Sequence, residues 1–272
     1  VRQSSNPAFS SLTRTVAGGQ AAATRQANPY DGYVEAAPAA PGAPARAMTV
    51  DDVVAKTGIT LGVIVAGAAI TYAISTANPG LGALLAMVGA IGGLIAVLVS
   101  TFGRKFGSAA VTLTYAAFEG LFVGGISFMF AGATVGGGDA AALITQAVIA
   151  TIGVFAGMLF VYKTGAIRVT PKFTRLLTAG LIGVLVLAVG NLLLALFTGS
   201  SPLRDGGPLA IVFSLVCIGL AAFSFLLDFD QADRLVRAGA PANYAWGVAL
   251  GLAVTLVWLY VEILRLLSYF RD

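Results

Sequence analysis

Seven apolar runs, each close to the twenty or so residues that a helix needs to cross a bilayer, constrain this chain more than anything else in it. They fall near 53–76, 81–102, 109–131, 140–162, 174–198, 208–229 and 244–270. The breaks between them are Asn78-Pro79-Gly80 and the stretches 103–108, 133–139, 165–173, 199–207 and 230–242, whose Gly, Pro and charges stop helices. No run carries a strand signal. Hydrocarbon offers the backbone no hydrogen bonds, so segments of this kind satisfy their own as helices. The expected fold is all-α: an integral membrane protein with seven transmembrane helices. Composition agrees, since 58% of the residues are hydrophobic and 10% charged, against about 25% charged in a soluble domain.

The chain has no His and one Cys. Imidazole bases, His-based metal sites, Cys/His nucleophiles and a disulfide framework are therefore excluded. Cys217 lies inside an apolar run and reads as a buried small hydrophobe. No Asp-Asp protease motif or Ser/His pair is visible, and the chain reads as a non-enzyme. The net charge of +4 is of the kind that orients a membrane protein, and no nucleic-acid partner is inferred from it.

Residues 1–48 are a different material, rich in Ala, Pro, Ser, Gly and Gln. They bury too little apolar surface to offset the entropy of ordering, and are expected to form a disordered cytoplasmic tail ahead of a transmembrane domain over 49–272. No apolar stretch follows Arg2, so a signal peptide is not expected. Asn6-Pro7 beside Phe9 reads either as a turn with a frayed half-helix or as a short docking segment for the protein's own cytoplasmic face or for a partner. Thr49 followed by Asp51 and Asp52 marks the first helix start.

Arg104, Lys105, Lys163, Arg168, Lys172, Arg175, Arg234 and Arg237 lie in or beside the even-numbered loops, and only Arg204 lies in an odd one. The positive-inside rule then puts the even loops and the N-terminus in the cytoplasm and the C-terminus outside. Gly89/Gly93, Gly120/Gly124 and Gly153/Gly157 repeat the spacing that lets helix backbones approach, within one bundle or between copies.

Acids inside the apolar runs are the chemistry this chain offers, because a carboxylate at membrane depth costs several kcal/mol unless it is paired or lines water. Glu119 sits at the middle of the third run, with Tyr115 one turn earlier as a hydrogen-bond donor. It reads either as a site or as a protonated structural link. Asp228 closes the sixth run directly after Leu227, and Asp230 and Asp233 follow with Arg234 and Arg237 near enough to pair. Asp228 is the deepest of the three and is placed to take a proton or to help hold a calcium ion, which prefers oxygen ligands. No EF-hand spacing surrounds it, and no other cofactor is expected. Glu262, in the seventh run, has Arg265 one turn on; an intrahelical ion pair and an ion site are both open readings. Asn191, mid-span in the fifth run, is expected to bond a neighbouring helix.

The order of these features resembles the Bax inhibitor family (transmembrane BAX inhibitor motif, YccA-like). The resemblance rests on the seven spans, on Leu226-Leu227-Asp228 closing the sixth, and on Leu259-Tyr260-Val261-Glu262-Ile263-Leu264 in the seventh. The opening Ser4-Ser5-Asn6-Pro7-Ala8-Phe9 looks most like a bacterial, actinobacterial branch. The resemblance implies six helices around a central seventh. It also implies a pair of acids, Asp228 and Glu262, whose shared proton gates a pH-sensitive leak of calcium or protons across the bacterial inner membrane. Two features depart from the family pattern: Glu stands where Asp is usual in the last helix, and 34 positions separate the two acids, a longer spacing than expected. A different implication is a non-conducting regulator that binds a membrane AAA protease of the FtsH type or a larger membrane complex, a role that suits a flexible N-terminal tail.

Overall fold

A computed structural model describes residues 46–134 and 140–271. The expected docking residues Asn6, Pro7 and Phe9 lie outside them. Seven long apolar helices form among the described residues: α1 (Val50–Ala77), α2 (Pro79–Phe102), α3 (Ala109–Thr134), α4 (Ala140–Thr164), α5 (Pro171–Thr198), α6 (Pro208–Arg237) and α7 (Ala245–Tyr269). No strand forms among the described residues. The protein is an all-α bundle, as expected.

Local chemistry sets the ends. Thr49 and Asp52 make a reciprocal capping box, with the Asp52 amide donating to Thr49 Oγ1 at 3.2 Å and the Thr49 amide donating to Asp52 Oδ2 at 3.0 Å. Between α1 and α2, Asn78 Oδ1 accepts from the Leu81 amide and Pro79 opens the next helix, where its missing N–H costs nothing. Gly199 stops α5 in the left-handed region at φ 73°. The sixth helix runs beyond Phe229 to Arg237 because Asp230–Arg234 (2.6 Å) and Asp233–Arg237 (2.9 Å) pair across successive turns.

The last helix is the core. Of its spanning stretch 83% is buried, against 6% for α5. It packs chiefly on α1, α3, α4 and α6, while α2 rests on α3 and α1, and α5 rests on α6. The outer helices keep Leu, Ile and Val on exposed faces, as expected of segments solvated by lipid. Cys217 is 1% exposed and packed in the core.

The expectation of close helix approach holds for two of the three glycine pairs. A Cβ on Gly89 would sit 2.5 Å from the Phe118 carbonyl oxygen, and one on Gly124 would sit 2.3 Å from that of Ala68. These contacts seat α3 against α2 and α1 within one chain. Gly153 and Gly157 meet nothing within 4 Å and do no such packing. Gly124→Ala should therefore lower stability by about 1–3 kcal/mol through overpacking. Gly157→Ala should leave it unchanged or raise it by up to about 1 kcal/mol. Thermal unfolding in detergent compares them; equal behaviour would contradict the packing.

The chain before α1 is clipped to the loop that leads into α7. Ala47 and Pro241 form an antiparallel bridge, flanked by Met48 N–H to Ala240 O (2.7 Å) and Ala242 N–H to Arg46 O (2.8 Å). Met48 is only 2% exposed beneath it. The Lys56 ammonium donates to the Ala242 carbonyl from α1. The start of α7 is thereby fixed at the end of the bundle that carries the basic loops.

Candidate functional site

The carboxylates within the bundle, Glu262 buried and Asp228 and Glu119 half-buried, fall in two neighbouring cavities against α7. Asp228 lies nine residues before the end of α6, roughly 14 Å in from the basic end. Thr255, ten residues into α7, meets it at that depth and donates from Oγ1 to Asp228 Oδ2 at 2.7 Å. Gly251, one turn earlier, leaves the other oxygen uncrowded: a Cβ there would lie 4.0 Å from Oδ1. Asp228 thus lines a cavity of about 300 Å³ together with Ser100, Thr101 and Gln231, and Phe106 stands at its wall.

Glu119 is ten residues into α3, roughly 15 Å from the same end. Room for its carboxyl exists because residue 93 is glycine; a Cβ there would come within 2.8 Å of Oε2. Tyr115 is 2% exposed, and its phenol lies beside the carboxyl as a hydrogen-bond partner, as expected from the one-turn spacing. Glu119 opens onto the larger cavity, about 610 Å³, which Glu262, Arg265 and Arg204 also line.

Glu262 and Arg265 form an ion pair at 2.7 Å between Oε1 and a guanidinium nitrogen, with side chains 6% and 7% exposed. The guanidinium also lies over the Phe130 ring, 5.8 Å from its centroid, a cation–π contact. Glu262 Oε2 is buried without a hydrogen-bond partner among the described residues. Of the two readings open for Glu262, this geometry carries the intrahelical pair.

The structure does not bring Asp228 and Glu262 together as a hydrogen-bonded pair. Thr255, which holds Asp228, is seven residues before Glu262 on the same helix, a rise of roughly 10 Å. Each acid has its own partner instead. The long spacing has a structural reason: α6 continues to Arg237 and α7 starts at Ala245, so the position that faces Asp228 is Thr255. What joins the two sites is a partition. Val97 of α2 and Val254 of α7 line both cavities.

Asp230 pairs with Arg234 at the helix end. Asn191 does not bond a neighbouring helix as expected; its Oδ1 accepts from the Leu203 amide at 3.0 Å and ties the loop after α5 back onto α5. Two residues of the site escaped the sequence reading. Thr255 is the sole aliphatic hydroxyl between Ala245 and Leu267, a signal that would have singled it out. Arg204 reads in the sequence only as the one basic residue of an odd-numbered loop. Among the described residues no group of three or more His, Cys, Asp or Glu side chains could hold a metal. At Asp228 one carboxylate and one hydroxyl supply fewer than the six to eight oxygens calcium takes, so a cation there would keep most of its water.

The family model described as Bax inhibitor 1 like matches residues 6–272, nearly the whole chain. No curated protein matches significantly. Seven membrane-length helices around a buried last helix, with an acid at Asp228 and another at Glu262, accompany that match. The chain belongs to the Bax inhibitor 1-like family and is a multi-pass membrane protein.

Proposed function

We propose that the protein is a pH-sensitive cation leak, for calcium or protons, in which half-buried carboxylates of α6 and α3 that face α7 set the passage. The observation that carries this reading is the pair of acid-lined cavities separated by Val97 and Val254. A hydrated cation enters beside Asp228 from the end with the basic loops, which the positive-inside rule makes cytoplasmic. The proton on Asp228 decides whether that entry carries a negative charge. Val97 and Val254 form an apolar partition that passes water and ions only when wetted, as hydrophobic constrictions do. Across it, at about the same depth, Glu119 offers the next carboxylate, with Tyr115 as its donor. Glu262, paired with Arg265, shapes the field of the far half. The membrane is the bacterial inner membrane, on the sequence resemblance.

A second reading has its own observation. The bridge between Ala47 and Pro241 roots the N-terminal tail on the loop into α7, where a protein such as a membrane AAA protease engaging the tail would pull on the bundle. As a non-conducting regulator the chain would need the tail and not the acids.

Calcium uptake into proteoliposomes between pH 6 and 8 separates the two. Glu119→Gln should lower the flux about tenfold, the equivalent of about 1.4 kcal/mol in barrier, and deletion of residues 1–45 should leave it intact. Wild-type uptake no greater than that of empty liposomes sinks the conduction reading.

A further inference from the structure

The larger cavity is open sideways. Helices α2 and α5 face each other across it without forming a packed interface. Leu94 on α2 and Leu185 on α5 both line it, yet remain 60% and 62% exposed. In a bilayer such a slot faces hydrocarbon, and lipid chains are the apolar groups within reach. Its volume of about 610 Å³ falls in the range of sites that enclose a sizeable ligand in mostly apolar walls with a few polar groups at one end.

That polar end is positive. Arg265 and Arg204 converge there with Glu262, two cations against one carboxylate, while the cavity's other acid, Glu119, lies nearer the basic end, roughly 15 Å from it. Arg265 already pairs with Glu262. Arg204, from the loop between α5 and α6, makes no ion pair among the described residues. Its side chain keeps exposed surface, yet partial desolvation and then the like charge of Arg265 pull its pKa below the ordinary arginine value, which an anion would relieve. Neighbouring Asp205 forms no ion pair with it among the described residues; its Oδ1 accepts from the Gly207 amide at 2.9 Å.

We infer that the slot between α2 and α5 is a binding site for an anionic phospholipid, with one acyl chain between Leu94 and Leu185 and the phosphate at Arg204. The charge excess selects an anionic head, the apolar walls select a chain, and the lateral opening selects a molecule already in the membrane. The site stands apart from the conduction reading and needs no ion flux to be tested. If ions do pass, the lipid lies across the half of the route beyond Glu119.

Trp258 lines this cavity and reports on it. The other tryptophan, Trp246, lies at the opposite end of α7 beside Lys56, and Trp246→Phe removes its signal. The full chain is placed in phosphatidylcholine nanodiscs containing a minor, fixed fraction of brominated-chain phosphatidylglycerol or of brominated-chain phosphatidylcholine. Brominated phosphatidylglycerol should occupy the slot, and quench Trp258, about fivefold more effectively, the preference expected of one arginine. Arg204→Gln, at an exposed loop position, should reduce it to the phosphatidylcholine level. Leu94→Phe with Leu185→Phe should lower quenching by both lipids. Equal quenching by the two lipids would reduce the slot to ordinary lipid contact, and no quenching by either would make it a water-filled space. Either result overturns the inference, as does quenching unchanged by Arg204→Gln.

Discussion

Arg265→Met should destabilise the bundle by about 3–5 kcal/mol, more than any other single change considered for it, because it leaves the Glu262 carboxylate buried and uncompensated. Both side chains of the pair are less than a tenth exposed and lie 2.7 Å apart. No other base pairs with Glu262 among the described residues, and its second oxygen already lacks a partner. Arg204 is near enough to feel the charge, but it sits on a loop and keeps part of its surface in contact with the surroundings. Adding Glu262→Gln to Arg265→Met should recover stability to within about 1 kcal/mol of wild type, since replacing a whole buried pair by groups of similar shape is often neutral. Unfolding of the detergent-solubilised protein, followed by heat or by titration with a denaturing detergent, gives the comparison. If the double variant is as unstable as Arg265→Met alone, the arginine acts through packing on Phe130 and not through the pair.

That pair was legible in the sequence because it is local. Residues three apart on a helix are neighbours whatever the tertiary fold. The spans were legible for a similar reason: a break such as Asn78-Pro79 acts on its own few residues, and the observed ends lie close to the expected ones. Continuation of α6 to Arg237 was also written in the sequence, as the 230/234 and 233/237 charge pairs, although Asp230 and Asp233 read as loop residues there. Other features depend on which faces meet. Gly153/Gly157 repeats the same spacing as Gly120/Gly124, but only the second pair faces another helix. Thr255 becomes the partner of Asp228 through the register of α6 against α7, which no periodicity within either helix records. Arg204 joins the cavity because its loop folds back over the bundle, held by Leu203 on Asn191. Local rules found the charges; tertiary register decided their partners.

Asp228→Asn should make the flux insensitive to pH. Asn has nearly the shape of a protonated Asp and keeps an oxygen that can accept from Thr255, so the contact between α6 and α7 survives while ionisation is lost. The sign follows from that equivalence. At every pH the variant should conduct as wild type does at the acid end, where Asp228 carries its proton. Calcium uptake into proteoliposomes by the variant at pH 8 should then equal wild-type uptake at pH 5, and change by less than about twofold between them, whereas wild type should differ by about tenfold if the carboxylate is worth roughly 1.4 kcal/mol to the passage. Thr255→Val is the companion variant. It removes the donor and leaves the charge, so its pH dependence should persist with a displaced midpoint. A pH response in Asp228→Asn equal to wild type would move the sensing group elsewhere, and Glu119, across the Val97–Val254 partition, is the carboxylate to test next.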